Sequence, residues 1–211
     1  MLLRKQALSV VGAASNDDPR YSLNGILVEP DGSTVATDGH ILVKYTPRSQ
    51  PDTADYPTVE GCDPAKPGAL VPFILPSDAA KDIYKAVPKG RKASLPILTD
   101  FVAIDVEQTN ANGCAVLGVT DLESPRVFRP MKIEGSFPKY ENVIPTADKL
   151  GPKVGLGVDL LMRICKIAKA QGFECLELQT FVDEPADKPV IFRAKNDKAV
   201  FLAVQMPRVI S

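Results

Sequence analysis

Apolar and polar positions along this chain follow two periods, which predict different elements. Apolar residues recur at helical spacing in three segments, predicting helices over residues 4–15, 78–87 and 158–171. Short apolar runs with period-two alternation predict strands between and after these helices. The predicted strands are residues 23–29, 33–37, 40–45, 69–75, 94–98, 101–107, 114–120, 126–133, 175–181, 190–195 and 199–206. A helix followed by three or four strands thus recurs three times, which is typical of an α+β architecture.

The predicted helices combine an apolar side with a cationic side. Five apolar residues of the last helix are predicted to face a core: Leu160, Leu161, Ile164, Ile167 and Ala168. Basic residues recur on another side of the two later helices and open the first one. They are Arg4, Lys5, Lys81, Lys85, Lys89, Arg163, Lys166 and Lys169. Such stripes are typical of a solvated helix face, and they also suit sequence-independent contact with DNA phosphates.

A turn between two predicted strands carries the only histidine of the chain, His40. Asp38-Gly39 predicts a hairpin, because glycine adopts positive φ without steric cost. The neighbouring Asp38 and His40 also suggest a catalytic pair. A hydrolase needs a nucleophile and an orienting group as well, and the sequence has no G-x-S-x-G or P-loop motif. We therefore expect His40 to belong to a turn, and the protein not to be an enzyme.

Composition narrows the function classes without selecting one. The 211 residues carry a net charge of −1, which does not indicate nucleic-acid binding but permits a local basic face. None of the four cysteines forms a C-x-x-C pair, so we expect free thiols in a reducing compartment and no zinc site. The sequence shows no signal peptide and no apolar run of membrane-spanning length. A cytoplasmic location is expected.

Three motifs, in order, resemble one protein family. They are RYSLNGILVEPDGSTVATDGHILVKY (residues 20–45), GSFPKYENVIP (135–145) and the C-terminal AVFLAVQMPRVIS (199–211). Together they resemble the bacterial sliding clamp, the β subunit of DNA polymerase III. The resemblance implies a DNA-clamp-like fold made of half-units, each a helix packed on antiparallel strands.

The resemblance also implies a domain organisation. Residues 1–145 are similar to one full clamp domain with two helix-plus-sheet halves and a long loop near residues 46–68. Residues 146–211 are similar to only the second half of the family's final domain. The first domain of the family and half of its last one have no counterpart here, so a shortened clamp is expected.

In the clamp family the three motifs meet in an apolar pocket that takes short peptides of partner proteins. The matching positions here are Leu23, Thr37, Gly39, His40, Leu42, Pro138, Val143, Val204, Met206 and Pro207. The alternative is that these residues belong to the core. Three positions depart from the family pattern: Ile41 replaces a common Arg, Asn142 replaces a basic residue, and Gln205 interrupts an apolar strand.

The resemblance leads to an expected function. The protein would be a DNA replication and processivity factor that binds double-stranded DNA non-specifically through the helix cations. Its pocket would tether DNA polymerase or other proteins with a clamp-binding motif. No metal or cofactor is required, and homo-oligomerisation is left open. A second hypothesis is a peptide-binding adaptor or decoy of phage or plasmid origin that does not bind DNA. The weakest is an enzyme that uses Asp38 and His40.

Overall fold

The chain folds into two compact units, Met1–Asn142 (unit 1) and Val143–Ser211 (unit 2). This computed structural model describes residues 1–16, 18–89, 95–144, 154–180, 189–195 and 200–207. The predicted boundary between residues 145 and 146 lies outside the described residues. The assignment of the units to one full clamp domain and one half-domain therefore stays a prediction.

Unit 1 contains two halves with the same order of elements: a strand, a helix and three further strands. The first half consists of β1 (Leu2–Arg4), the 3₁₀ helix η1 (Lys5–Ala13), β2 (Gly25–Val28), β3 (Thr34–Thr37) and β4 (Leu42–Tyr45). The second half consists of β5 (Phe73–Pro76), α1 (Ser77–Ala86), β6 (Phe101–Ile104), β7 (Leu117–Val119) and β8 (Arg126–Phe128). The connections carry α2 (Pro96–Asp100), α3 (Val106–Ala111) and 3₁₀ turns at Asp18–Leu23, Thr53–Asp55 and Tyr140–Val143.

The two halves of unit 1 exchange their first strands. One antiparallel sheet has the order β4-β3-β2-β5, and the other has the order β8-β7-β6-β1. The strand that precedes η1 thus joins the sheet of the second half, and the strand that precedes α1 joins the sheet of the first. Each half completes the sheet of the other.

A shared core lies between these elements. The apolar sides of η1 and α1 pack with residues from both sheets in one cluster. Leu8 of η1, Ile83 of α1, Ile26 of β2 and Val102 of β6 are all fully buried. Burial of such side chains stabilises the folded state by about 1.5–3 kcal/mol each, so the two halves depend on each other for stability.

In its described residues, unit 2 consists of one helix and a three-stranded sheet. It contains α4 (Val158–Ala170), β9 (Glu177–Gln179), β10 (Val190–Lys195) and β11 (Val200–Gln205). The antiparallel sheet has the order β11-β10-β9. Its core is small and centres on Ala168, Ala194 and the rings of Phe173 and Phe201, whose centroids are 5.7 Å apart.

One predicted strand of unit 1 was wrong, and another was predicted too long. The segment predicted as a strand over 94–98 contains the start of α2, because Pro96 occupies the first helical position, where its fixed φ suits a helix and its missing N–H is not needed. The strand predicted over 101–107 ends at Ile104. Asp105 caps α3 instead, and its carboxylate accepts a hydrogen bond of 2.9 Å from the Gln108 N–H.

Two predictions about helices also need correction. The first predicted helix is a short strand followed by a 3₁₀ helix, rather than a helix from residue 4. In α4, Ala168 is buried as predicted, but Leu160 and Ile167 are exposed. Periodicity identifies an apolar side of a helix, but it does not show that a partner covers the whole of that side.

A pair of glycine substitutions tests the packing of unit 1. A Cβ at Gly25 would lie 2.5 Å from the Leu75 carbonyl oxygen and 2.8 Å from Cγ2 of Ile74. We expect Gly25→Ala to lower the free energy of unfolding by about 1–3 kcal/mol, because rigid backbone and core must move. Gly12→Ala is the matched control, since nothing lies within 4 Å of its Cβ position. Urea unfolding measures both variants; equal stability would contradict the close β2–β5 packing.

Candidate functional site

The TDGH motif forms a turn that its own side chains fix. The Asp38 carboxylate accepts hydrogen bonds from the N–H groups of His40 (2.8 Å) and Ile41 (2.9 Å). The Thr37 hydroxyl donates to the Ile41 carbonyl at 2.6 Å and accepts from the Gly39 N–H at 3.0 Å. Gly39 has φ of 92°, which favours glycine. The turn therefore extends to Ile41, and β4 begins at Leu42 rather than His40.

These bonds give the Asp38 carboxylate a structural role. The N–H groups of Ile41 and then His40 hold the pKa of Asp38 below its ordinary value. The His40 side chain is exposed. Among the described residues, no group of three His, Cys, Asp or Glu side chains could hold a metal ion. The motif has the geometry of a rigid surface turn.

The predicted pocket residues of unit 1 differ in exposure. Leu23 and Thr37 are buried, Leu42 is half-buried, and Pro138 is exposed. Ile41, at the position where the clamp family commonly has Arg, exposes about half of its surface at the end of the turn. The turn thus presents a small apolar surface rather than a cationic one.

The connector motif GSFPKYENVIP is anchored to unit 1 by Tyr140. The Lys44 ammonium donates to the Tyr140 hydroxyl at 2.7 Å, and that hydroxyl donates to Glu29 at 2.8 Å. Lys44 and Glu29 also form an ion pair at 3.2 Å. The hydrogen bond with Tyr140 raises the pKa of Lys44, and burial raises the pKa of Tyr140. This three-residue network, Glu29–Lys44–Tyr140, ties the connector to β2 and β4.

A cleft of about 550 Å³ lies beside the anchored connector. Of the predicted pocket residues, only Pro138 lines it, so the structure does not bring the TDGH turn into this cleft. The other connector residues that line this cleft were not predicted from the sequence. The aromatic and proline residues of the connector could have indicated them. The lining includes Leu27, Ile74, Lys132, Phe137, Pro138 and Tyr140.

In unit 2 the predicted pocket residues lie mostly on the surface. Val143, Val204 and Met206 are exposed, and Pro207 is half-buried. Gln205 points to the opposite side of β11 from Val204 and is buried. Its side-chain NH₂ donates to the Gly157 carbonyl at 3.2 Å, just before α4. The polar residue that interrupts this strand therefore connects it to the helix.

Several of the predicted cations of unit 1 have nearby partners. Lys81 lies 3.6 Å from Asp78, and Lys85 lies 3.6 Å from Asp82, each one turn away on α1. Paired charges at this spacing are common on solvated helices. They support the interpretation of the α1 lysines as a solvated helix face rather than a contact surface for DNA phosphates. At the first helix, the Arg4 guanidinium lies 4.7 Å from the Phe101 ring centroid.

The cations of α4 are arranged differently. Arg163, Lys166 and Lys169 are all exposed on the helix, and within the described residues none has an acidic partner within 4 Å. Asp159 is the one acidic residue of the α4 sequence. The α4 stripe thus keeps a net positive charge, whereas the charges of the α1 lysines are compensated.

One basic cleft in unit 1 was only partly predicted. Lys85 and Lys89 line a cleft of about 280 Å³ together with Arg126, which sequence reasoning did not select. Arg126 begins β8, far from α1 in sequence, so no local pattern connects it with the two lysines. The cleft is predominantly polar and also contains Asp121.

Two further expectations concern cysteines and membranes. All four cysteines are free: Cys62 is buried, Cys114 is half-buried, and Cys165 and Cys175 are exposed. Burial raises the pKa of the Cys62 thiol to about 11, so it is inert at neutral pH. None of the helices in the described residues is both long and apolar enough to span a membrane.

The fold of this chain is that of bacterial sliding-clamp structures. The paired helix-plus-sheet halves of unit 1 and the single half of unit 2 match sliding-clamp structures over the whole chain. The fold expected from the three motifs, an α+β DNA-clamp-like fold, is confirmed. No family model matches the sequence, and no curated protein matches it either.

Two solved structures give the extent of the likeness. The DnaN sliding clamp of Bartonella birtlesii, bound to griselimycin, is 18% identical with a TM-score of 0.66, over 100% of this chain and 51% of that one. The sliding clamp of Bacillus subtilis is 12% identical with a TM-score of 0.63, over 98% of this chain and 48% of that one. The chain spans about half the length of these clamps.

The anchoring network of the connector can be tested by removing one hydroxyl. Tyr140→Phe deletes the acceptor for Lys44 and the donor to Glu29, so we expect the free energy of unfolding to fall by about 1–2 kcal/mol. Tyr21→Phe is the control, because Tyr21 is exposed and a change within about 0.5 kcal/mol is expected there. Urea unfolding measures both; equal losses would show that the network does not stabilise unit 1.

Proposed function

We propose that this protein is a sliding-clamp-like replication factor that binds duplex DNA without sequence specificity and tethers partners through a peptide-binding surface. The observation that carries the proposal is the match of the whole chain to the fold of sliding clamps, and the three sequence motifs support it. The match covers about half of each clamp chain.

The peptide-binding role is supported by the exposure of apolar side chains. Val143, Val204 and Met206 are exposed in unit 2, and Ile41 is exposed beside the TDGH turn in unit 1. Exposed apolar residues of this kind favour an extended peptide that inserts a few side chains. Methionine adapts to ligands of different shape, which suits a surface with several partners. The proposed partners are DNA polymerase and other proteins with a clamp-binding motif.

The DNA-binding role is supported mainly by α4. Its three exposed cations, which have no acidic partner within 4 Å in the described part of the chain, can contact phosphates. Release of counterions then drives binding that depends on salt but not on sequence. The ion pairs of Lys81 and Lys85 with aspartates predict a smaller contribution from α1. The net charge of −1 makes such binding local to one face.

The proposal also covers catalysis, cofactors and cellular location, and these parts are inferred from the fold. Sliding clamps act by holding partners rather than by chemistry, which agrees with the structural role of Asp38. The proposal therefore includes no catalytic residue and no cofactor. A cytoplasmic location accompanies a role in replication.

The peptide-binding surface is tested with one substitution at its C-terminal segment. Met206→Asp places a charge on an exposed apolar position, and we expect it to weaken binding of a fluorescent clamp-binding-motif peptide by about 10-fold or more. Fluorescence anisotropy measures the affinity. Griselimycin, which the Bartonella clamp binds, is a second probe.

Val200→Asp is the matched control for this experiment. Val200 is exposed at the start of β11, whereas Met206 follows the end of that strand, so the same charge should leave peptide affinity unchanged. Unchanged affinity in Met206→Asp would remove the proposed surface. Peptide binding by a protein that does not bind DNA would instead favour the adaptor hypothesis.

DNA binding is tested by the salt dependence of affinity. Lys166→Ala with Lys169→Ala should weaken duplex binding and lower the slope of log K against log salt by about 1.8, or about 0.9 for each lost phosphate contact. Lys81→Ala with Lys85→Ala should change the slope less, because each lysine has an aspartate partner. Filter binding with a fixed duplex at several salt concentrations measures the slopes.

Lys139→Ala with Lys195→Ala is the control pair, since both lysines are exposed and neither lies on a helix. It removes the same charge from other surfaces and should leave the slope nearly unchanged. If all four helix substitutions together left affinity and slope unchanged, the proposed DNA role would be wrong.

A further inference from the structure

The turn between β7 and β8, residues 120–124, repeats the hydrogen bonds of the TDGH turn between β3 and β4. The Thr120 hydroxyl accepts a hydrogen bond of 2.9 Å from the Leu122 N–H. The Asp121 carboxylate accepts from the N–H groups of Glu123 at 3.1 Å and Ser124 at 2.6 Å. In the TDGH turn, threonine and aspartate accept from N–H groups at the same sequence spacings. Each half of unit 1 thus carries one such turn, and the second is termed the TDLES turn after its sequence.

The TDLES turn differs from the TDGH turn at its central residue. Leu122 has φ of 77°, close to the 92° of Gly39, but a leucine with this backbone conformation is strained. Its side chain is 60% exposed, so burial does not compensate for the strain. Strained residues of this kind concentrate at ligand-binding sites, where the fixed position serves a partner. The turn therefore holds one apolar side chain at a defined place on the surface.

A cleft of about 280 Å³ lies beside the TDLES turn and has a rigid floor. Val87, which follows α1, and Val119 of β7 line it, and both are buried in the shared core of unit 1. The lining from the turn consists of Thr120, Asp121 and Ser124. Small-ligand sites have volumes of about 300–1,000 Å³, so a cleft near the lower limit suits a short segment of a partner.

Three cations from two separate elements line this cleft. Lys85 and Lys89 come from the end of α1 and the residues after it, and Arg126 begins β8. Within the described residues, Lys89 and Arg126 form no ion pair within 4 Å. Lys85 has a solvent-exposed pair with Asp82 at 3.6 Å, and such pairs contribute little. Asp121 is the one acidic residue of the lining, so the cleft has a net positive charge.

We propose that this cleft is a docking site for a short acidic segment of a partner protein that also carries an aliphatic residue. The carboxylates of the segment contact Lys85, Lys89 and Arg126, and the arginine can bind a carboxylate through two parallel hydrogen bonds. The aliphatic residue contacts Leu122, which lies in sequence between two residues that line the cleft. The fixed turn lowers the entropy lost on binding.

The composition of the site favours a peptide over nucleic acid. DNA phosphates are bound by cations and by N–H and O–H donors, so the exposed Leu122 would contribute little to a DNA contact. The Asp121 carboxylate in the lining would repel a phosphate backbone, whereas a peptide can place its carboxylates next to the cations alone. The inference does not rest on the proposed function, because a peptide can dock here whether or not the protein binds DNA.

Fluorescence anisotropy tests this site in the full chain. The probe is a short fluorescein-labelled peptide of alternating Glu and Leu, the Glu-Leu peptide. We expect it to bind about 10-fold more tightly than the matched peptide with Gln in place of every Glu. Lys89→Gln with Arg126→Gln should weaken binding of the Glu-Leu peptide by about 10-fold or more. Arg48→Gln with Lys139→Gln is the matched control, because both residues are exposed in unit 1 outside this cleft.

A second variant, Leu122→Gly, separates docking from folding. Glycine adopts φ of 77° without strain, so the midpoint of urea unfolding should stay the same or rise. The affinity for the Glu-Leu peptide should nevertheless fall by about 5-fold or more, because the apolar contact is lost. A lower midpoint with unchanged affinity would give Leu122 a structural role and overturn its part in docking.

Three further results would overturn the proposal. The first is equal affinity of the wild-type protein for the Glu-Leu peptide and its Gln counterpart, or no binding of either. The second is an equal loss in the cleft variant and its control, which would place the peptide on another surface. The third is displacement of the peptide by duplex DNA whose own binding is lost in Lys89→Gln with Arg126→Gln. That result would assign the cleft to phosphates.

Discussion

One constraint governs this fold: a helix on a three-stranded sheet cannot bury its apolar side without a second layer. Unit 1 satisfies the constraint within the chain, because its halves exchange β1 and β5 and enclose a common core. Ile26 and Val102 are fully buried as a result. Unit 2 has one half in the described residues, and its core is confined to a few side chains around Phe173 and Phe201. The difference between the units follows from the number of halves, since their strand order is the same.

The candidate site of unit 1 depends on this buried frame. The TDGH turn joins β3 and β4, and hydrogen bonds of the Asp38 and Thr37 side chains fix its geometry. Lys44 of β4 and Glu29, next to β2, hold Tyr140 of the connector. Exposed residues near these elements can keep fixed positions because their backbone belongs to rigid strands and a bonded turn.

Periodicity predicted most strands, and the motifs predicted the class of fold. The errors fell where one polar or proline residue changes the local structure, as Pro96 and Asp105 do by starting helices. The exposure of Leu160 was not predictable, because an apolar position does not show whether its partner is present. The Tyr140–Glu29 bond joins residues 111 positions apart, so no local spacing could indicate it. The residues of the predicted peptide pocket were selected by their resemblance to the clamp-family motifs. Their exposure in the structure does not by itself give them a binding role.

The departures from the clamp family pattern have different structural consequences. Gln205 points away from Val204, and its amide serves the junction with α4, so this substitution leaves the outer side of β11 apolar. Ile41 replaces a cation with an exposed apolar side chain at the end of the TDGH turn. A peptide that relies on its acidic groups would lose an attractive partner there, whereas one that relies on aliphatic groups would gain contact area. Under the proposed function, residue 41 therefore bears on which peptides bind, whereas Gln205 connects β11 to the residue before α4.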